Sequence, residues 1–557
     1  MNVSVETIKP LRDNQLNLEY DVRDYWGAEQ MKRSTVLLER SDKKGPKIIY
    51  EATIDLNDVA LEVGRYYELH AAVPQEGEPF RYATSFAILP EAETKKFKPE
   101  EVPFTARNWD NRFQAYFELS DRLGVRTCGV WGGWSSKAPY KPEAPQIELC
   151  EKLNMGILTG TPISTIERGK TDYNEEALRQ GVRNWLEKYG KYRPLTINLG
   201  NEPHGTGDRV KANVAAYRAV YEEIKKVDPT VFVLATAVEP NEEYFKLEYG
   251  KYCDAYDFHV YEGFNNVRRN IEHYKALMKK YGNEKPIWST ELGLNSQGLP
   301  RHVVAVELIK TFTTFFAAGG VNASWFALIY PDPEGKSHGS SGDAHNVFDC
   351  RFNRYALRLD AVAYYNAVQA IAIKKFKDEK QYADGVSAFL FRDRDKRNLQ
   401  VLWKAKGRQD VFVPLPGAEK VAVIHVDGSR CELAAGGKGI TLSVSEDPIM
   451  LLYENEQTTL AEALGKPAVS LVSPLNKLQR NGAAELTIAV SDAVKNIELV
   501  PPPLWKVVKN SSKDGEVRFT LTGPSSSTVR ELSLSVKFDD GNGKQPGELS
   551  FRLSVAE

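Results

Sequence analysis

Cysteine is scarce in this sequence: Cys128, Cys150, Cys253, Cys350 and Cys431 are the only five in 557 residues. None forms a CxxC pair and none has histidines at zinc-ligand spacing, so no metal site is readable. An odd, scattered set is no disulfide framework either, and small buried thiols are the simplest account of it. A surplus of charge of one sign is also missing. Lys+Arg 73 against Asp+Glu 75 give a formal charge of −2. That balance leaves no electrostatic footprint for nucleic acid or an anionic membrane surface. The opening residues MNVSVETIKPLRDNQ have neither the basic nor the apolar stretch of a signal peptide. One uncharged run, TFTTFFAAGGVNASWFALIYP (311–331), is long enough to span a bilayer. Gly319, Gly320, Asn322 and several hydroxyls divide it into a helix end, a turn and a buried strand, so no membrane insertion is expected. There is no internal repeat and no low-complexity segment.

What is present is enough apolar material for large cores: 42% hydrophobic residues, with 9 Trp, 26 Tyr and 23 Phe. At roughly 150 residues per domain the length suggests three or four domains. Residues 1–98 read as an N-terminal β-sandwich, from segments such as LNLEYDVRDYW and RYYELHAAV, with a polar, Pro-bounded linker at 90–103. The grammar then changes to alternating helix and strand over 99–375. Eight strands separated by helices predict a closed (β/α)8 barrel, and no Gly-rich phosphate loop follows the first strand to favour a dinucleotide-binding sheet. β-Structure returns at 376–457 as a small all-β domain. A polar linker then leads to 464–557, whose clean alternation suggests an immunoglobulin-like sandwich.

A barrel of this kind carries its active site at the C-terminal ends of its strands. The fourth strand, LTINLG, ends in Asn201-Glu202-Pro203-His204, and the seventh, KPIWST, ends in Glu291-Leu292-Gly293. The sixth, YDFHVYEG, puts His259 and Tyr261 on one face, because residues two apart in a strand share a face. Trp325 closes the eighth strand. Trp131 and Trp134 stand in the Gly-rich WGGW after the second, and Trp109 follows the first. Taken alone, NEP is equally an ordinary helix start, and a core His or Tyr is commonplace. Two carboxylates at one rim, with HxY between them, are the arrangement double displacement at an acetal carbon needs: one carboxyl held protonated, with a raised pKa, and one ionised. The polar loop PDPEGKSHGSSGDAHNVFD after the eighth strand carries Asp343 and His345 and reads as a solvated loop.

These residues resemble the clan A glycoside hydrolases, and the flanking β-modules with WKAKG, VDGSR and LLYE look most like family 39 and related multidomain members. The resemblance covers about 103–375. It implies Glu202 as acid/base, Glu291 as nucleophile, and Asn201 on the sugar 2-hydroxyl. It implies further that Tyr261 hydrogen-bonds the nucleophile, that His259 lines the site, and that Trp325 forms the floor beneath the cleaved sugar; His204, a further candidate for substrate contact, follows NEP where family 39 proper often has Asn. Many members place an arginine late in the second strand to support the nucleophile; here Arg126 opens that strand and Gly129 stands in its place. The expected activity is retaining hydrolysis of a β-linked glycosidic bond in an oligo- or polysaccharide, with no metal or organic cofactor. Trp109, Trp131 and Trp134 are candidate stacking platforms for that carbohydrate. A transglycosylase would use the same two glutamates, and a non-catalytic carbohydrate-binding scaffold would keep the barrel and its aromatics. Secretion or a periplasmic location follows only by analogy with where glycan-degrading enzymes work.

Overall fold

The computed structural model describes residues 1–7, 15–42, 46–75, 77–108, 114–130, 144–160, 174–203, 205–237, 239–474, 477–478, 483–513, 515–524, 529–539 and 546–555. They fall into two units: 89–379 with 389–395, and 1–88 with 380–388 and 396–557.

The second of these opens with β1 (Asn2–Thr7), β2 (Gln15–Asp24), β3 (Ser34–Arg40), β4 (Ile48–Thr53), β5 (Tyr67–Val73) and β6 (Phe80–Phe86). They form one antiparallel sheet in the order β1-β4-β3-β2-β5-β6. Alternation gathers Leu18, Tyr20 and Val22 of β2 with Tyr67 and Leu69 of β5 into a common core. At the other end of the unit two four-stranded sheets face each other. Leu486, Ile488, Phe519 and Leu521 of one pack on Leu532, Leu534, Val536, Leu549 and Phe551 of the other.

Buried charge ties three stretches of this unit together. The Trp26 indole N–H donates to Asp427 at 3.0 Å, Arg65 donates to Asp24 at 3.0 Å, and the Arg552 guanidinium lies 3.9 Å over the Trp26 ring. Burial works against the Asp427 carboxylate, but Arg65, Arg552 and the Ser429 hydroxyl outweigh it and hold its pKa down at about 2. Burial instead pushes Asp24 up to about 6, and neighbouring Arg65 only partly offsets it. Asp427→Ala removes the acceptor of the buried Trp26 indole N–H, while Arg65 keeps Asp24 and Glu62 and Arg552 keeps Asp447, so a loss of about 1–3 kcal/mol is expected, the range for taking the partner from a buried donor. A denaturant melt of the variant checks this; an unchanged midpoint refutes it.

The first unit is the barrel. Its strands are β7 (Thr105–Ala106), β8 (Thr127–Gly129), β9 (Gly156–Gly160), β10 (Leu195–Asn198), β11 (Phe232–Ala237), β12 (Ala255–Val260), β13 (Ile287–Leu292) and β14 (Asn322–Trp325). They pair in parallel in sequence order. Closure runs from β14 back to the start of β7: the Ala323 amide donates to the Pro103 carbonyl at 3.0 Å, and Thr105 Oγ1 donates to Asn322 Oδ1 at 2.8 Å. At least one helix follows each strand: α1 (Gln114–Leu123), α2 (Ala144–Lys152), α3 (Glu175–Tyr189), α4 (Asp208–Val227), α5 (Glu242–Lys246), α6 (Phe264–Tyr281), α7 (Arg301–Ala317), the short α8 (Ser341–His345) and α9 (Leu359–Ile371). Side-chain caps start several of them; Asn174, for example, accepts from the Ala177 amide at 3.0 Å. The uncharged run 311–331 resolves into the end of α7, a turn and β14. Among the described residues no helix is long and apolar enough to cross a membrane.

Candidate active site

The rim at the C-terminal ends of β10, β12 and β13 gathers the polar residues read from the sequence. After β10 the Asn198 side chain folds back and accepts from the Gly200 amide at 3.0 Å. Glu202, four residues on, takes the left-handed conformation at φ +48°. A non-glycine residue there is held by its surroundings at a cost of about 1–2 kcal/mol, and such strain gathers where a side chain must point one way. The Glu202 side chain is 34% exposed and that of Glu291 only 9%, so one carboxylate sits at the mouth and the other at the bottom.

His259 joins them. Its Nδ1 lies 2.9 Å from Glu202 Oε1 and 3.4 Å from Glu291 Oε2. Facing atoms of Glu202, His259 and Glu291 all fall within 4.8 Å of one another. Tyr261 donates its hydroxyl to Glu291 Oε2 at 2.6 Å. Burial pushes the Tyr261 phenol far up, and the adjacent Glu291 carboxylate pushes it further, so it remains a donor. Burial pulls the His259 imidazole down, but Glu291, Glu202 and Asp257 together outweigh burial and Arg107, and its pKa is raised. Three such groups have the proximity a cation would need. Here, however, they bond one another, and the Arg107 guanidinium supplies the positive charge to Glu291 at 3.0 Å. The geometry is that of a hydrogen-bonded cluster.

Arg107 is one residue the sequence reading missed. It leaves the end of β7, is 1% exposed, and also reaches Asn201 Oδ1 at 3.4 Å. A Cβ on Gly129 would stand 3.0 Å from Arg107 Cδ and 3.2 Å from the Ala106 carbonyl oxygen. The glycine at the place where an arginine was looked for therefore leaves the corridor through which the neighbouring strand sends one. Arg126 does other work: it pairs with Asp121 at 3.0 Å and bonds the carbonyls of Leu153 and Asn154.

Two further residues escaped notice. Asp257 lies two before His259 on β12, hence on the same face, and is wholly buried. Thr290 precedes Glu291, and ordinary alternation would turn it outward. A bulge prevents that. Two steps along β12, Asp257 to His259, match three along β13, Trp288 to Glu291. β14 shows the same mismatch, with Ala323 to Trp325 against Ser289 to Leu292. The extra residue in β13 lets both Thr290 and Glu291 face the barrel interior.

Trp325 corrects an expectation. It is 1% exposed, its ring packed edge-on against Phe312 of α7 at 6.2 Å, and a buried ring has no face left for a sugar. Phe326, the next residue, is buried as well, its ring 6.1 Å from the Tyr261 ring and perpendicular to it. His345 is not a solvated loop residue: its ring meets Tyr261 at 5.5 Å. Burial and Arg301 lower its pKa against the pull of Glu291. Asp343 serves the loop itself, accepting from Arg358 at 2.7 Å. Asn201 is exposed at the rim. Trp109, Trp131, Trp134 and His204 lie outside the described residues.

The fold is therefore a (β/α)8 barrel with β-modules before and after it in the chain, similar to that of a family 39 glycoside hydrolase. Among solved structures, a family 39 glycoside hydrolase from the gut symbiont Bacteroides cellulosilyticus WH2 is similar over 81% of this chain and 97% of its own, with a TM-score of 0.62 at 15% identity. A glucosidase from Croceicoccus marinus matches 64% of this chain and 96% of its own at 12% identity, with a TM-score of 0.47. At 15% identity the first of these likenesses speaks for the fold alone. No protein-family model matches the chain, and no curated protein matches its sequence.

Proposed function

We propose that this chain is a retaining glycoside hydrolase that cleaves a β-linked bond in an oligo- or polysaccharide by double displacement. One observation carries the reading: facing oxygens of Glu202 and Glu291 come within 4.8 Å. Direct attack by one carboxylate needs the two carboxyls about 5–5.5 Å apart, whereas an inverting enzyme opens them to about 6.5–9.5 Å to admit a water. Their burial supports the division of labour. Glu291, deep and held by Arg107 and Tyr261, attacks the anomeric carbon; Glu202, at the mouth, meets the departing oxygen. In the second half water attacks the glycosyl-enzyme and Glu202 takes its proton. In this reading Asn201, which accepts from Arg107 at 3.4 Å, binds the sugar 2-hydroxyl.

The test is the configuration of the first product. A panel of β-linked plant, microbial and host glycans is digested and the nascent anomeric proton read by NMR. The expected product is the β-anomer, which mutarotates afterwards; an α-anomer at first appearance defeats the retaining assignment. Sugar release below background across the panel, with tight glycan binding, would move the reading to a binding scaffold.

A further inference from the structure

The buried side of the site fixes where one proton can be. Asp257 Oδ2 accepts from the Thr290 hydroxyl at 2.7 Å and from Asn198 Nδ2 at 3.0 Å, while its Oδ1 accepts from the Thr290 amide at 2.8 Å. A hydroxyl has one hydrogen to give. With that hydrogen committed to Asp257, Thr290 Oγ1 meets His259 Nε2, 3.0 Å away, with a lone pair. Nε2 therefore carries a hydrogen. The other ring nitrogen, Nδ1, faces Glu202 Oε1 at 2.9 Å. If the imidazole is neutral, Nδ1 is an acceptor and Glu202 must bring the hydrogen; if it is charged, Nδ1 brings it and Glu202 is a carboxylate. Either way this bond contains one proton.

We propose that Asp257 and Thr290 are positioning residues that hold His259 in its Nε2–H form, so that His259 Nδ1 and Glu202 hold in common the proton delivered to the leaving oxygen. The proposal rests on the glycosidase reading for its consequence, and on these contacts for its geometry. In the first half-reaction a Glu291 oxygen bonds the anomeric carbon and the bond to the leaving oxygen breaks. The freed electron pair takes the proton from Glu202, and His259 is left neutral. In the second, a water oxygen bonds the anomeric carbon, the bond to Glu291 breaks, and the water's proton returns to the Glu202–His259 bond.

The arrangement couples the two events. Groups facing His259 are Glu202, Glu291 and Asp257, which favour its charged form, and Arg107, which opposes it; the Tyr261 phenol beside them stays neutral. Esterification of Glu291 removes the negative charge 3.4 Å from Nδ1. The imidazole then loosens its hold on the proton as the leaving oxygen begins to need it. Neutral-amide or hydrocarbon groups in place of Thr290 and Asp257 would surrender that timing while leaving both glutamates in place.

Thr290→Val removes the hydroxyl and keeps the shape; Thr290→Ser restores the hydroxyl. Two readouts test them. First, rates on a phenyl and a 2,4-dinitrophenyl β-glycoside of the same sugar: Thr290→Val is expected to lose roughly 10–100-fold in kcat on the phenyl glycoside, whose leaving group needs a proton, at little change in KM. It should lose far less on the dinitrophenyl glycoside, and Thr290→Ser should stay near wild type on both. Second, 15N-histidine labelling, practical with 8 histidines in the chain, should show His259 of the wild type protonated at Nε2 near neutral pH, and this signature should be lost in Thr290→Val. Equal losses on both glycosides, a wild-type rate in Thr290→Val, or an Nδ1–H neutral tautomer in the wild-type spectrum overturns the proposal. Full activity in Glu291→Gln would instead sink the glycosidase reading, and the NMR result would still decide the tautomer.

Discussion

Glu291→Ala is expected to abolish glycan hydrolysis, with kcat falling by roughly 10⁵, the scale seen when a covalent nucleophile is removed. The size follows from the geometry. Arg107, Tyr261 and His259 all converge on this one carboxylate, and none of them can attack carbon in its place. Glu291→Gln serves as the companion, since it keeps the shape and a partner for Tyr261 while losing the charge. The substitution also empties space beside the anomeric carbon, so added azide should restore some turnover. Because a free anion then attacks in place of the carboxylate, that product should carry the opposite anomeric configuration. Reducing-end release and product NMR read both effects, and turnover within tenfold of wild type in the alanine variant would refute the assignment.

Glu202→Ala is expected to behave differently, and the difference is what identifies it. General acid catalysis is worth roughly 10²–10⁴, so kcat/KM on a natural glycan should fall by that much. An aryl glycoside with a strongly acidic phenol departs without help, and its first step should be nearly untouched while the glycosyl-enzyme accumulates. Azide should here give a glycosyl azide of retained configuration, because attack on the glycosyl-enzyme no longer needs a base. A loss independent of leaving group would remove Glu202 from the role.

That Glu202 and Glu291 meet at one rim was legible because strand order and rim position are simple consequences of the repeating pattern, and the NEP and TELG segments fall at strand ends. Tyr261 and His259 followed from the two-residue period, and the same period would have yielded Asp257 had it been run one step back along β12. Thr290 was hidden for a physical reason: its orientation depends on a bulge, and alternation read through a bulge gives the wrong face. Arg107 was hidden because a long side chain crosses between strands, and its path is set by an absent Cβ at Gly129, two features with no local sequence pattern. Trp325 shows the converse error. At the exit of a strand neighbouring residues turn to different layers: the Trp325 ring packs on Phe312 of the helix layer, and the Phe326 ring against Tyr261.

The extra residue in β13 has a consequence for how such a site can change over time. Substitutions can alter every side chain on that strand, yet none of them can shorten it; only a deletion between Trp288 and Glu291 could restore even pairing with both neighbours. Such a deletion would rotate the strand's end and swing Glu291 out of reach of Glu202 in a single event, with no graded intermediates. Loops and rim residues are thus open to gradual drift, while the placement of Glu291 is all or nothing. Grafting the two glutamates onto another barrel would fail for the same reason unless the inserted residue travelled with them.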